Sequence, residues 1–178
     1  MLNPIKKKKA PAKIEYKWGE CKCWEDRSRL IGNLIPSHTS VIDIGGGFEH
    51  LKKFLKEATI YKAIDIKPCT KQTIVADFNK NEYPKVGNFN YVVCQGVIEY
   101  IKNVDNFLNK MKQYGDIMII TYRLGRVFYH RVNDMIFYKF ERHLMINDWE
   151  ILFERQVDPK MKNEKIYYCI NKKYGKKR

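Results

Sequence analysis

Gly45, Gly46 and Gly47 stand in a row directly after the apolar run at 41–44, and an acid, Asp65, follows one crossover later. Glycines remove every side chain from a turn, so a ligand can lie against bare backbone amides. A carboxylate at the end of the next strand can accept both hydroxyls of a ribose. The run Val-Ile-Asp-Ile at 41–44 reads as a buried parallel strand. Phe48, Leu51, Phe54 and Leu55 follow at helical spacing, so a helix is expected over 48–57, its positive end toward the same ligand. Residues 60–65 then read as a second strand that carries Asp65 to its C-terminal end. Together these are the parts of a nucleoside-binding βαβ unit.

The dinucleotide fingerprint has a third glycine three residues after the second, and this chain has His50 near that place. A pyrophosphate profits from close helix approach, which His50 hinders, so a ligand without phosphate fits better. Two more stretches bear on the choice: Val-Ala-Asp-Phe-Asn at 75–79 and Val-Val-Cys-Gln-Gly-Val-Ile-Glu-Tyr-Ile at 92–101. In this order the four stretches resemble the class I S-adenosylmethionine-dependent methyltransferases, with Glu99-Tyr100 where that family often has Glu-His. The chain is also similar to small bacterial methyltransferases of surface-polysaccharide clusters, through a short His-Leu at His143.

The resemblance implies an α/β fold, Rossmann-like and doubly wound, with a mostly parallel seven-stranded sheet and an antiparallel last strand. It implies S-adenosylmethionine as cofactor, S-adenosylhomocysteine as product, and no metal. Gly45, Gly46 and Gly47 would flank the methionine portion, with Asp43 organising the turn. Asp65, with Ile66 beside it, would hold the ribose. Asp77 would accept from the adenine amino group near the Phe78 amide, and Gln95 and Gly96 would border the sulfonium. Each has a plain alternative: Gly45 and Gly47 as formers of a tight turn, Asp77 as a turn acid, and Gln95 as a helix cap.

The elements that must position these residues follow from pattern. Residues 24–34 read as a helix stopped by Pro36. A short third strand falls at 73–76, and Pro84 and Gly87 make the crossover after it abbreviated. Strand four is expected at 91–94, an amphipathic helix at 104–114, and an apolar fifth strand at 116–121. Asn147 with Glu150 three residues on reads as a capping box, which predicts a helix over 143–155. A strand at 165–171 closes the pattern, with a partner near 155–157. The expected organisation is a basic flexible arm at 1–13, one methyltransferase domain at 14–171 and a basic tail at 172–178.

On the acceptor side, a nucleophilic oxygen or nitrogen needs somewhere to leave its proton. His143, Tyr100 and Glu99 are the candidates, each set against a structural role, and His50 reads as structural. Arg123, Arg126 and Arg131 follow strand five and would suit an anionic acceptor, or form a solvated basic face.

The formal charge of +14 over 178 residues draws anions, and lysines concentrate at 6–9 and 172–178. A small anionic substrate, such as a sugar or phosphoryl compound, is expected over nucleic acid. An RNA methyltransferase using the basic ends, and a binding module that keeps the fold without chemistry, are the alternatives. Five cysteines suit a reducing compartment, and Cys21 and Cys23 are too close for a zinc knuckle. No apolar run approaches the roughly 18 residues a membrane span needs. The expected location is cytoplasmic; oligomeric state is not readable.

Overall fold

The computed structural model describes residues 22–125, 131–158 and 163–175. Seven strands form one sheet: β1 (Ser40–Ile44), β2 (Ile60–Asp65), β3 (Ile74–Val75), β4 (Tyr91–Cys94), β5 (Ile117–Arg123), β6 (Trp149–Gln156) and β7 (Glu164–Asn171), in the order β3-β2-β1-β4-β5-β7-β6. Strands β1 to β5 pair in parallel, while β7 runs antiparallel between β5 and β6. This is the Rossmann-like methyltransferase sheet, with its reversal between β1 and β4. The expected arm at 1–13 lies outside the described residues, and Lys172–Gly175 form a helical turn, α4.

Alternation along the strands sends side chains to two cores. On one face Ile42, Ile44, Ile64, Val92, Met118 and Ile120 meet helices α2 (Val104–Met111) and α3 (Phe137–Ile146). On the other, Val41, Val93 and Ile119 meet Ile31 of α1 (Lys22–Gly32) and Leu51. The central strands are buried on both faces, which is why 41–44 and 117–122 are almost wholly apolar.

The structure departs from the sequence reading at two helices. The expected helix over 48–57 is a five-residue 3₁₀ turn, His50–Phe54. Glu49 adopts a left-handed φ of 57° and Leu55 is already extended, so the segment closes on both sides before an α-helix can propagate. The expected helix over 143–155 is the end of α3 followed by β6. Asn147 does not open a helix. Its backbone and side-chain N–H groups donate to the His143 carbonyl, closing α3, and Asp148 at φ 59° turns the chain into β6. What reads as a helical face, Trp149 with Ile151, is the inward side of a strand. The crossover after β3 is abbreviated as expected, to the 3₁₀ turn Phe78–Lys80.

Trp149 is fully buried, and its indole N–H donates to the Leu108 carbonyl at 3.0 Å, joining the start of β6 to α2. Trp149→Ala is expected to destabilise the protein by about 3–5 kcal/mol. Urea unfolding checks this; a loss under about 1 kcal/mol would contradict a buried β6 start.

Candidate functional site

The Gly45 and Gly46 amides both donate to the Ile64 carbonyl, at 2.7 and 3.3 Å, so the turn after β1 is stapled to the end of β2. The sheet side of the turn has no room. A Cβ on Gly45, which has φ 71°, would lie 2.1 Å from the Val97 methyl, and one on Gly46 would lie 2.9 Å from the Ala63 methyl. Gly47 differs: at φ 51° its missing Cβ points into open space. The turn is therefore packed beneath and bare above. That is the cradle a ligand requires.

Asp65 stands beside it, half-buried. One carboxylate oxygen accepts from the Gly47 amide at 2.9 Å and the other from the Lys67 amide at 3.1 Å. Each oxygen retains a lone pair, so the two backbone bonds orient the group and leave it able to accept hydroxyls. Ile66, next in sequence, is exposed.

Asp43 lies under the turn, fully buried. Its Oδ2 accepts from the Tyr61 hydroxyl at 2.8 Å, and its Oδ1 has no hydrogen-bond partner. Burial pushes its carboxyl up from 3.8 to about 7, with the charge of Asp65 adding to the shift and the Tyr61 bond opposing it. An unsatisfied buried acceptor is costly.

The strand-four segment completes the floor. The Gln95 amide oxygen accepts from the Ser28 hydroxyl at 3.0 Å, and the Gly96 amide donates to the Thr121 hydroxyl at 2.9 Å. Gly96 has φ 67°, and the Arg27 guanidinium covers the place of its Cβ, 3.0 Å away. Arg27 in turn bonds Glu164 at the start of β7, at 2.7 Å. Arg27, Ser28 and Glu164 escaped the sequence reading. The signal was present: Arg27 and Ser28 share the α1 face of buried Ile31, where polar residues need a buried partner.

Asp77 accepts from the Asn79 amide at 3.0 Å and so caps the turn Phe78–Lys80, at the end of β3. The Phe78 ring packs on Tyr83 and Phe107, with centroids 5.4 and 5.5 Å away, leaving only its backbone for a ligand. The cofactor candidates thus gather at the C-terminal ends of β1 to β4. A cavity of about 410 Å³ beside β2, lined by Glu49, Tyr61, Lys62, Ala63, Gln72 and Ile74, adjoins but does not include the glycine cradle.

The acceptor-side candidates divide. Glu99 is buried; its Oε1 accepts from the Arg123 amide at 2.9 Å and its Oε2 has no partner. Burial raises its pKa against the lowering by amide hydrogen bonds and Arg131. Tyr100 is next to it, its hydroxyl pKa raised by burial and then by the Glu99 charge. Arg131 donates to the Arg123 and Gly125 carbonyls at 3.0 and 2.7 Å and lies 3.8 Å from Glu99. Arg126 lies outside the described residues. His143 sits within the last turn of α3, not before a helix, and its ring bonds Asp105 of α2 at 2.7 Å. His50 faces Glu25 of α1 at 3.7 Å, tying the 3₁₀ turn to that helix. Among the described residues no cluster of three metal-ligating side chains occurs, and no helix is long and apolar enough to cross a membrane.

By sequence, no protein-family model and no curated protein matches the chain. By structure, it is similar to S-adenosylmethionine-dependent methyltransferases. A TehB-like enzyme from Corynebacterium glutamicum superposes with TM-score 0.67 at 16% identity, over 82% of this chain and 87% of that one. The 1,6-didemethyltoxoflavin-N1-methyltransferase of Burkholderia thailandensis, solved with its substrate and S-adenosylhomocysteine, gives 0.67 at 12% identity, over 86% and 80%. The magnesium protoporphyrin IX methyltransferase of Synechocystis with bound S-adenosylhomocysteine gives 0.61 at 13%, over 84% and 81%. At such identities the likeness is one of fold, and these neighbours act on varied substrates.

The Asp43 environment has a measurable signature. Its carboxyl binds a proton more readily folded than unfolded, so its contribution to stability falls as pH rises from about 4 to about 7. Asp43→Asn is expected to remove that slope: the stability gap between variant and parent should widen across this window and level off above it. Urea midpoints at stepped pH check this, and a gap independent of pH contradicts it.

Proposed function

We propose that this chain is an S-adenosylmethionine-dependent methyltransferase that transfers a methyl group to an oxygen or nitrogen of a small anionic metabolite, such as a sugar phosphate or other phosphoryl compound. The observation that carries the reading is the glycine cradle with Asp65 bonded to its open edge, set at the reversal point of a methyltransferase-type sheet.

The residues present fit that cofactor. Asp65 would hold the ribose hydroxyls, with Ile66 an apolar surface beside them. Asp77 and the Phe78 amide would meet the adenine edge. Gly45 to Gly47 with Gln95 and Gly96 would flank the methionine portion, with Asp43 organising the turn from beneath. When bound, the cofactor supplies a methyl group on a positively charged sulfur, open to in-line attack. The chain's own part is alignment of the acceptor and exclusion of water.

The anionic acceptor is supported by charge at the ends of β4, β5 and β7. The Arg27 and Arg131 guanidinium groups stand there against the acids Glu164 and Glu99, and the Arg123 backbone amide donates to Glu99. We assign the acceptor's proton to Glu99, whose Oε2 has no donor, with Tyr100 bordering it. His143, held by Asp105, orders the α2–α3 contact. The net charge of +14 keeps RNA as the second acceptor class.

Three outcomes test this reading. Release of S-adenosylhomocysteine is expected with a phosphorylated small molecule from a panel that also contains RNA; release with RNA alone favours the second class, and release with neither refutes the enzyme. Asp65→Ala is expected to weaken S-adenosylmethionine binding by about 1–3 kcal/mol in calorimetry, since buried hydroxyls lose their acceptor. Glu99→Gln keeps the bond from the Arg123 amide and is expected to lower kcat by roughly 100-fold or more, whereas His143→Ala leaves it within a few-fold. Equal turnover by Glu99→Gln and the parent would remove Glu99 from proton transfer.

A further inference from the structure

We propose that β6 is the interface of a symmetric homodimer, in which it pairs antiparallel with β6 of a second copy to make one continuous sheet. The strand ends the sheet: among the described residues no strand pairs with its outer edge. It is eight residues long, Trp-Glu-Ile-Leu-Phe-Glu-Arg-Gln, with no lysine or proline to block a further strand. Edge strands left that long and that open are templates for pairing. Leu152 and Phe153, at its centre, are 53% and 40% exposed, and Met145 and Ile146 at the end of the adjoining α3 are 56% and 61% exposed.

The charge pattern selects the occupant. Of the charged residues on β6, Glu154 pairs with Lys165 at 2.7 Å within the chain. Glu150 and Arg155 have no ion-pair partner among the described residues. On a regular strand, residues five apart point to opposite faces. Here the register with β7 shifts between Ile151 and Phe153, so that Glu150 stands opposite Ile170 and Arg155 opposite Ile166, two positions on one face of β7. The bulge thus places Glu150 and Arg155 on the same face. About a two-fold axis between Leu152 and Phe153, antiparallel pairing sets Leu152 against Phe153, Ile151 against Glu154, and Glu150 against Arg155 of the other copy. Because the interface is two-fold, each such contact occurs twice. An edge bulge ordinarily discourages pairing. In this register it is what makes the two unpartnered charges complementary to a second copy of the same strand.

Sedimentation velocity over a concentration series tests the proposal on the full chain. The parent is expected to show a reversible monomer–dimer equilibrium. Arg155→Glu sets like charges opposite each other twice and is expected to raise the dimer dissociation constant roughly tenfold or more. Glu150→Arg on its own should do the same. The double swap, Glu150→Arg with Arg155→Glu, restores both pairs in reversed sense and is expected to return the constant to within a few-fold of the parent's. Both substituted side chains are exposed, and far-ultraviolet circular dichroism checks that all three variants fold. A parent that stays monomeric to its solubility limit overturns the proposal. So does a double swap no tighter than the single variants, or a single variant as tight as the parent.

Discussion

The Ile64 carbonyl accepts from two successive glycine amides, and on this contact the ligand cradle depends. It binds the turn after β1 to the end of β2, the strand that also carries Asp65, so the Asp65 carboxylate and the bare backbone are set by one rigid register. The Asp65–Gly47 bond closes the same ring from the other side. No long helix is needed to brace the turn. Val97 and Ala63 fill the space beneath, and any side chain larger than hydrogen at Gly45 or Gly46 would meet them.

The fold economises around this core. The β1-to-β2 and β3-to-β4 crossovers are reduced to short 3₁₀ turns and the β2-to-β3 crossover to a loop, whereas α2 and α3, after β4 and β5, pack on the larger apolar cluster. The site loop after β4 is therefore held by side-chain amides: Asn79 donates to the Tyr100 carbonyl and accepts from the Lys102 amide, and Asn133 donates to the Ile98 and Ile101 carbonyls. Polar bonds from neighbouring loops take over work that a crossover helix would do through burial.

The sheet and the cofactor candidates were legible because each is a local pattern: unbroken apolar runs for strands buried on both faces, and a glycine row before an acid. The helix misread at 143–155 shows the limit. Asn147 and Glu150 have the right types for a capping box, but the Asn147 side chain reaches back to His143 and Asp105, a choice set by contact with α2. Periodicity likewise could not show that Glu49 turns left-handed, since Glu49 accepts from Thr70, twenty-one residues away, in a partly buried bond of 2.5 Å. The face of α1 signalled that Arg27 needs a buried partner, but not which one: Glu164 stands 137 positions away and leaves no trace in local spacing. Chemistry written in neighbours was readable, and chemistry assembled across the fold was not.

The Arg27–Glu164 pair also orders events in time. The first helix carries the guanidinium that roofs Gly96, yet its partner acid belongs to the last strand, which must slot between β5 and β6. A ribosome that has released everything through β6 has still produced a molecule that lacks the strand between β5 and β6 and whose buried cation has no partner acid. A chain clipped before Glu164 would lose both the partner of that cation and the strand that joins β6 to the sheet.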